Sequence, residues 1–362
     1  MNDTQRGEAI IAEVDPAIDA FLAQKAAQLA DISPRLAMLG QTARRVAAGG
    51  KRLRPAFCIW GYLCVAPAPE DPSALVKAAA SLDLLHTAEL IHDDVMDASD
   101  TRRGQPAAHR QFERWHATQE FSRDAAAFGR AAAILAGDLL FKWSAELFES
   151  ARPNAAAREV MELVRTEVTA GQFLDIQAQE LDPDMARTDP DATGDLINTV
   201  IDIKTARYTA VRPLQLGAAL AGKSRADSAL AALLRYGTAI GRAFQLRDDV
   251  LGVFGDPDVT GKPAGDDLRE GKLTLLVARA MQLAGPWEID ELRAGLGRRD
   301  LGKSEIEGLA EIISRSGALD AVEGEIADAL EEALHAIRYS GLREAGVGAL
   351  VELAYATVNR ES

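Results

Sequence analysis

Two stretches of this chain gather carboxylates at helical spacing, and each is followed by basic residues. In ELIHDDVMDASDTRRG (residues 89–104) Asp93, Asp94 and Asp97 fall within an arc of about 100° on an ideal helix, with His86 on the same face two turns earlier. Three ionised carboxylates on one face repel one another and raise their own pKa values unless a cation neutralises them. Hard oxygen donors of this kind suit Mg2+, which keeps several waters and completes its shell with phosphate oxygens. In FQLRDDVLGVFGDPDVTGK (residues 244–262) Asp248 and Asp249 repeat the device. Phe244 and Gln245 share their helical face, Gly252 stands where a third carboxylate would be, and a glycine-rich turn leads to Lys262. Two acidic helices with cations behind them suggest magnesium bridging from both to one polyphosphate, while the cations stabilise charge on the departing group.

Further basic residues need a partner of their own. Arg102 and Arg103 follow the first cluster directly. GGKRLRP places Lys51 and Arg54 at a helix start, where backbone N–H groups also favour an anion, although alone it reads as a glycine helix stop and a solvated basic turn. Lys204 and Thr205 in IDIKTARYTA have an equally plain alternative, a lysine stem lying along an amphipathic helix. Together these cations suffice for one diphosphate carried by magnesium and a second held directly by Lys and Arg.

The elements that must position these groups read as helices throughout. Alanine and leucine dominate, aromatic residues make up only 5% of the chain, and apolar residues recur at helical spacing, as in ALVKAAASLDLLHTAELIHDDV. Breaks at Gly49-Gly50, 66–73, 152–154, 181–195, 255–267 and Gly285-Pro286 predict ten or more helices. The acidic 181–195 stretch lacks the spacing of a calcium loop and reads as a solvated connection. The expectation is a single all-α domain over residues 1–362, a large helical bundle around a central cavity. Fifty-five acidic against forty basic residues give a formal charge of -15, which argues against a nucleic-acid partner. Two cysteines, no apparent signal peptide and no apolar run near the roughly 20 residues that span a bilayer point to a cytoplasmic protein without a transmembrane segment.

In order from Gly49 to Lys272, the segments GGKRLRP, HTAELIHDDVMDASDTRRG, GQFLD, KTA, FQLRDD and GKPAGDDLREGK resemble the trans-isoprenyl diphosphate synthases, or polyprenyl synthetases. The resemblance covers most of the chain; the helical tail beyond Lys272 adds no motif. It implies that Asp93 and Asp97 ligate Mg2+ with Asp94 in support, that Asp248 takes a further ion with Asp249 beside it, and that about three Mg2+ ions serve each site. Arg102, Lys204 and Lys262 would hold the allylic diphosphate, and Lys51, Arg54, His86 and Arg103 would hold isopentenyl diphosphate without metal. The reaction implied is ionisation of the allylic substrate, condensation and proton loss, with Thr205, Gln245 and Gln172 placing oxygen dipoles near the carbocation. No side-chain nucleophile is needed. The family is commonly homodimeric.

Ala88 and Glu89 occupy the positions five and four places before the first aspartate that, in the family, help close the product tunnel. The small Ala88 suggests room beyond fifteen carbons and a geranylgeranyl product. Two other readings stand beside this one. A class I terpene cyclase would show an Asn/Ser/Glu metal motif, which is not found, and would not need Lys51, Arg54 and Arg103. A non-catalytic partner subunit of a heteromeric synthase is encouraged only by Gly252.

Overall fold

The computed structural model describes residues 2–119, 121–223, 228–256 and 265–360. It is helical almost throughout. In chain order the elements are α1 (Asp3–Ala12), α2 (Val14–Ile32), α3 (Ala37–Ala47), α4 (Leu53–Leu63), α5 (Ser73–Met96), β1 (Thr101–Arg102), β2 (Gln105–Pro106), α6 (Ala108–Ala117), α7 (Ala125–Ser150), α8 (Ala155–Gln179), α9 (Met185–Thr188), α10 (Pro190–Val200), a π-helical segment (Ile201–Val211) and α11 (Arg212–Leu220). They continue with α12 (Ser228–Phe254), α13 (Asp266–Glu270), α14 (Leu275–Leu283), α15 (Pro286–Gly295), α16 (Lys303–Arg315), α17 (Ala318–Arg338) and α18 (Glu344–Val358). The all-α expectation holds, with one local exception. The exit from the first aspartate helix folds into a small antiparallel hairpin, β1 with β2, which four residues without apolar alternation do not announce.

Helix limits follow the punctuation. Gly49-Gly50 separate α3 from α4, residues 66–73 separate α4 from α5, and Gly285 precedes α15 with Pro286 at its first position. Asp124 caps α7 by accepting from the N–H groups of Ala126 and Ala127. The 181–195 stretch is more structured than a plain connection: it contains α9, and Asp189 caps α10 through the N–H of Ala192. Among the described residues no helix is long and apolar enough to cross a membrane.

The chain forms two compact units. The first comprises Met1–Met161, Pro213–Asp227 and Leu342–Ala349. Its centre is α5, packed chiefly on α7 and also touching α2 and α4. From Ala78 to Leu85 every residue of α5 is buried, Ser81 and Asp83 included, so this helix is enclosed on all sides rather than amphipathic. The second unit comprises Glu162–Arg212, Ser228–Gly341 and Leu350–Ser362. There α12 packs on the π-helical segment and on α17, with Leu233, Tyr236, Ile240, Ala243 and Leu246 buried along it at three- and four-residue steps.

Candidate functional site

In the first unit the end of α5 presents the carboxylates. Asp97 is the C-cap, its N–H donating to the Asp93 carbonyl at 2.8 Å. Asp94 is 1% exposed and Asp97 is also buried, whereas Asp93 is half-buried. Arg102, on β1, donates from Nε to Asp94 Oδ1 at 2.9 Å, and its Nη2 reaches both Asp94 and Asp93, the latter at 3.4 Å. Burial alone would lower the Arg102 pKa, but the charge and hydrogen bond of Asp94 outweigh it and the pKa is raised. The guanidinium thus partly neutralises the repelling carboxylates.

Arg103 goes elsewhere. In the hairpin Arg102 pairs with Gln105, leaving Arg103 (φ 52°) and Gly104 (φ 69°) as the two tip residues, both left-handed as a tight two-residue hairpin turn requires. From this tip Arg103 Nη1 donates to the Gly49 carbonyl at 3.1 Å, beside the turn that leads to Lys51 and Arg54. Lys51 is exposed and Arg54 lies in the first turn of α4. His86 is depressed well below its ordinary pKa by burial first, and then by Arg54, Arg103, Arg102 and Arg52. Its imidazole is therefore neutral near pH 7 and offers hydrogen bonding rather than positive charge.

Arg52, passed over in the sequence, is the structural member of GGKRLRP. It is the N-cap of α4 at φ 50°, buried, paired with Asp83 and with Asp15 at 2.5 Å, and it donates to the Ala47 carbonyl at 2.9 Å. One signal existed: Asp83 sits inside the apolar run ASLDLL, where a buried carboxylate needs a counter-charge. Ala88 is fully buried on α5 and Glu89 is half-buried.

In the second unit a polar chain links three predicted residues. Thr205 Oγ1 donates to Gln245 Oε1, and Gln245 Nε2 donates to Asp249 Oδ1 at 2.7 Å. The amide of Gln245 is thereby fixed in one orientation. Asp249 is buried and raised well above the ordinary carboxylate range, by desolvation first and then by Asp267, Asp248 and Asp175; the Gln245 hydrogen bond opposes this. Asp249 is accordingly the poorer ligand of the pair and Asp248, half-buried, the better.

Lys204 Nζ pairs with Asp175 Oδ2 at 2.5 Å. Asp175 closes the GQFLD segment, where Gln172 is buried; Gly171 allows the contact, because a Cβ there would lie 2.7 Å from the Lys204 Cα. Lys204 and Thr205 ride on the π-helical segment, which ends with the Arg212 N–H donating to the Arg207 carbonyl, five residues back.

Gly252 has an occupant in front of it. A Cβ at that position would fall 1.9 Å from Oδ2 of Asp267, on α13, so the Asp267 carboxylate fills the volume of the missing side chain. Lys262 lies outside the described residues. The tail beyond Lys272, without a motif in the sequence, supplies Arg360, which pairs with Asp248.

Among the described residues no three His, Cys, Asp or Glu side chains form a ready metal-binding group. Mg2+ takes one or two protein carboxylates and completes its shell with water and phosphate oxygens, and the hard donors Asp93, Asp97 and Asp248 fit that demand.

The family model described as polyprenyl synthetase matches residues 37–313. The short chain isoprenyl diphosphate synthase of Methanothermobacter thermautotrophicus is 32% identical over 326 residues, 88% of this chain and 89% of that protein. The all-trans-nonaprenyl-diphosphate synthase (geranyl-diphosphate specific) of Rhodobacter capsulatus is 32% identical over 308 residues, 84% of each chain. The geranylgeranyl pyrophosphate synthase of Corynebacterium glutamicum, solved with isoprenyl diphosphate and magnesium, superposes with a TM-score of 0.88 at 36% identity, covering 99% of this chain and all of that one. The chain belongs to the polyprenyl synthetase family and is a prenyltransferase of isoprenoid biosynthesis of the trans-isoprenyl diphosphate synthase type.

Proposed function

We propose that this chain condenses isopentenyl diphosphate with a dimethylallyl, geranyl or farnesyl diphosphate and releases geranylgeranyl diphosphate as its main product. What supports the condensation above all is that Arg103 turns away from the aspartates held by Arg102 and donates to the Gly49 carbonyl, beside the turn that carries Lys51 and Arg54. A class I cyclase has no need of a second diphosphate site; an elongating synthase does.

Magnesium, bound through Asp93, Asp97 and Asp248, about three ions in all, would supply the charge that stabilises diphosphate as it leaves the allylic carbon. Asp94 steadies Arg102, which with Lys204 and Lys262 binds the allylic diphosphate. Lys51, Arg54 and Arg103 bind isopentenyl diphosphate through charge, and His86 adds a neutral hydrogen bond. Gln245, oriented by Thr205 and Asp249, and Gln172 direct amide oxygens toward the carbocation, and the departing diphosphate accepts the proton lost after condensation. The magnesium named with the Corynebacterium structure supports the metal dependence. The small side chain of Ala88 supports a product longer than farnesyl. The named products of similar relatives range from farnesyl through geranylgeranyl to nonaprenyl, so chain length rests on Ala88 and Glu89. We further propose that residues 1–362 act as one catalytic domain in a cytoplasmic homodimer, which light scattering of the purified chain tests for the oligomer.

The deciding assay supplies isopentenyl diphosphate and each short allylic diphosphate with Mg2+ to the purified chain and reads products by mass spectrometry. A geranylgeranyl product is expected. A cyclic hydrocarbon formed without isopentenyl diphosphate, or activity only after a second subunit is added, overturns the reading; a dominant farnesyl or longer product overturns the chain length alone.

A further inference from the structure

The segment that follows α18 is fastened beside Asp248. The Val358 carbonyl accepts from Arg247 Nε at 2.9 Å, and Arg247 is itself held by both carboxylate oxygens of Glu323 on α17, at 2.6 and 2.7 Å. Two residues on, Arg360 lays its guanidinium 3.9 Å from the centroid of the Phe244 ring, donates from Nη2 to the Phe244 carbonyl at 3.1 Å and pairs with Asp248 Oδ1. Its side chain is only 10% exposed. Among the described residues its buried Nε finds no hydrogen-bond acceptor, so this seat leaves one donor unsatisfied. The anchor at Val358 is firm, and the last step onto Asp248 depends on one charge pair and one ring.

Arg360 occupies Oδ1 of Asp248, so a divalent ion drawn to that oxygen competes with the guanidinium for it, and a ligand that binds only one of two linked states displaces the other. We propose that Arg360 is the resident counter-cation of Asp248, and that a divalent ion displaces it, so that loading the second acidic cluster and releasing residues 359–360 are one linked equilibrium. This rests on Asp248 being a metal ligand. The arginine compensates the carboxylate beside buried Asp249 and sets a threshold of metal and diphosphate below which the cluster stays closed. Phe244, through its ring, sets how strongly Arg360 holds.

The test is a binding titration of the full chain with Mn2+, followed by electron paramagnetic resonance in the presence of inorganic pyrophosphate. Wild type is compared with R360Q, F244L and D248N, and thermal melts establish that each variant is folded. A class of Mn2+ that D248N abolishes should bind about two- to fivefold tighter in R360Q, the range expected for removing one partly exposed ionic competitor. F244L should shift the same class in the same direction by less, and it carries the test if R360Q does not fold. Equal or weaker binding in R360Q and F244L would overturn the proposal while leaving Asp248 a metal ligand. If wild type has no Mn2+ class that D248N removes, the metal reading of Asp248 falls, and this inference with it.

Discussion

Gly252 and Asp267 form a steric pair, and restoring an aspartate at 252 to complete the acidic pattern should do harm. The Asp267 carboxylate, whose Oδ2 lies 1.9 Å from where the new Cβ would be, would have to swing aside and would then face a like charge. For Gly252→Asp we expect at least a tenfold (about 1.4 kcal/mol) fall in kcat and a higher Mg2+ requirement, with a smaller fall for Gly252→Ala, read from steady-state rates against Mg2+ concentration. Thr205→Val removes the donor that fixes the Gln245 amide; kcat should drop about tenfold with KM nearly unchanged, and Thr205→Ser should restore it. Ala88→Phe should shorten the product, as mass spectrometry of the released diphosphates would show. At this scale the aspartates, Lys204, Thr205 and Gln245 could be picked out of the sequence as candidates. The partners Asp175 and Arg360 were not, since each reaches its site by tertiary contact from a segment with no periodic signal pointing there.

Among the elements, the π-helical segment carries the most consequence. Its backbone bonds skip five residues, which widens the turn on which Lys204 and Thr205 are displayed to Asp175 and Gln245. Deleting Ile203 would let the segment relax to α-helical spacing and rotate those side chains by about 100° against the residues before it. Activity should fall by about a hundredfold or more while circular dichroism still reports a helical protein; a smaller loss would mean that the wide turn does not position the pair. Sequence periodicity predicts a helix over this stretch but cannot tell one bonding pattern from another, because apolar spacing over three turns tolerates a single extra residue. The same limit hid the hairpin at 101–106: four residues without alternation look like a helix exit, and only the pairing of Arg102 with Gln105 makes them a ladder.

For the molecule as a whole, the all-α architecture was legible because alanine- and leucine-rich periodicity persists along nearly the entire chain and the helix stops are marked by Gly, Pro and Asp. Its division into two compact units was not, since no linker composition marks the boundaries. A net charge of -15 makes the arginine group around His86 a local exception to the general field. That group has a thermodynamic signature. The folded His86 has its pKa well below 6.5, so as pH falls beneath that value the unfolded chain takes a proton that the folded chain refuses, and stability present above it is lost. The urea midpoint should therefore fall further between about pH 7.5 and 5.5 for wild type than for His86→Gln; equal falls would show that burial and the neighbouring arginines do not depress the ring.

The hairpin tip sets two requirements against each other. An L-residue in the left-handed conformation of Arg103 costs roughly 1 kcal/mol that glycine avoids, yet glycine there would lose the donor to the Gly49 carbonyl and, on the proposed function, a cation for isopentenyl diphosphate. Directed evolution for heat tolerance would drive position 103 toward glycine, and selection for turnover would drive it back, so the tip is a place where robustness and catalytic competence are exchanged one for the other.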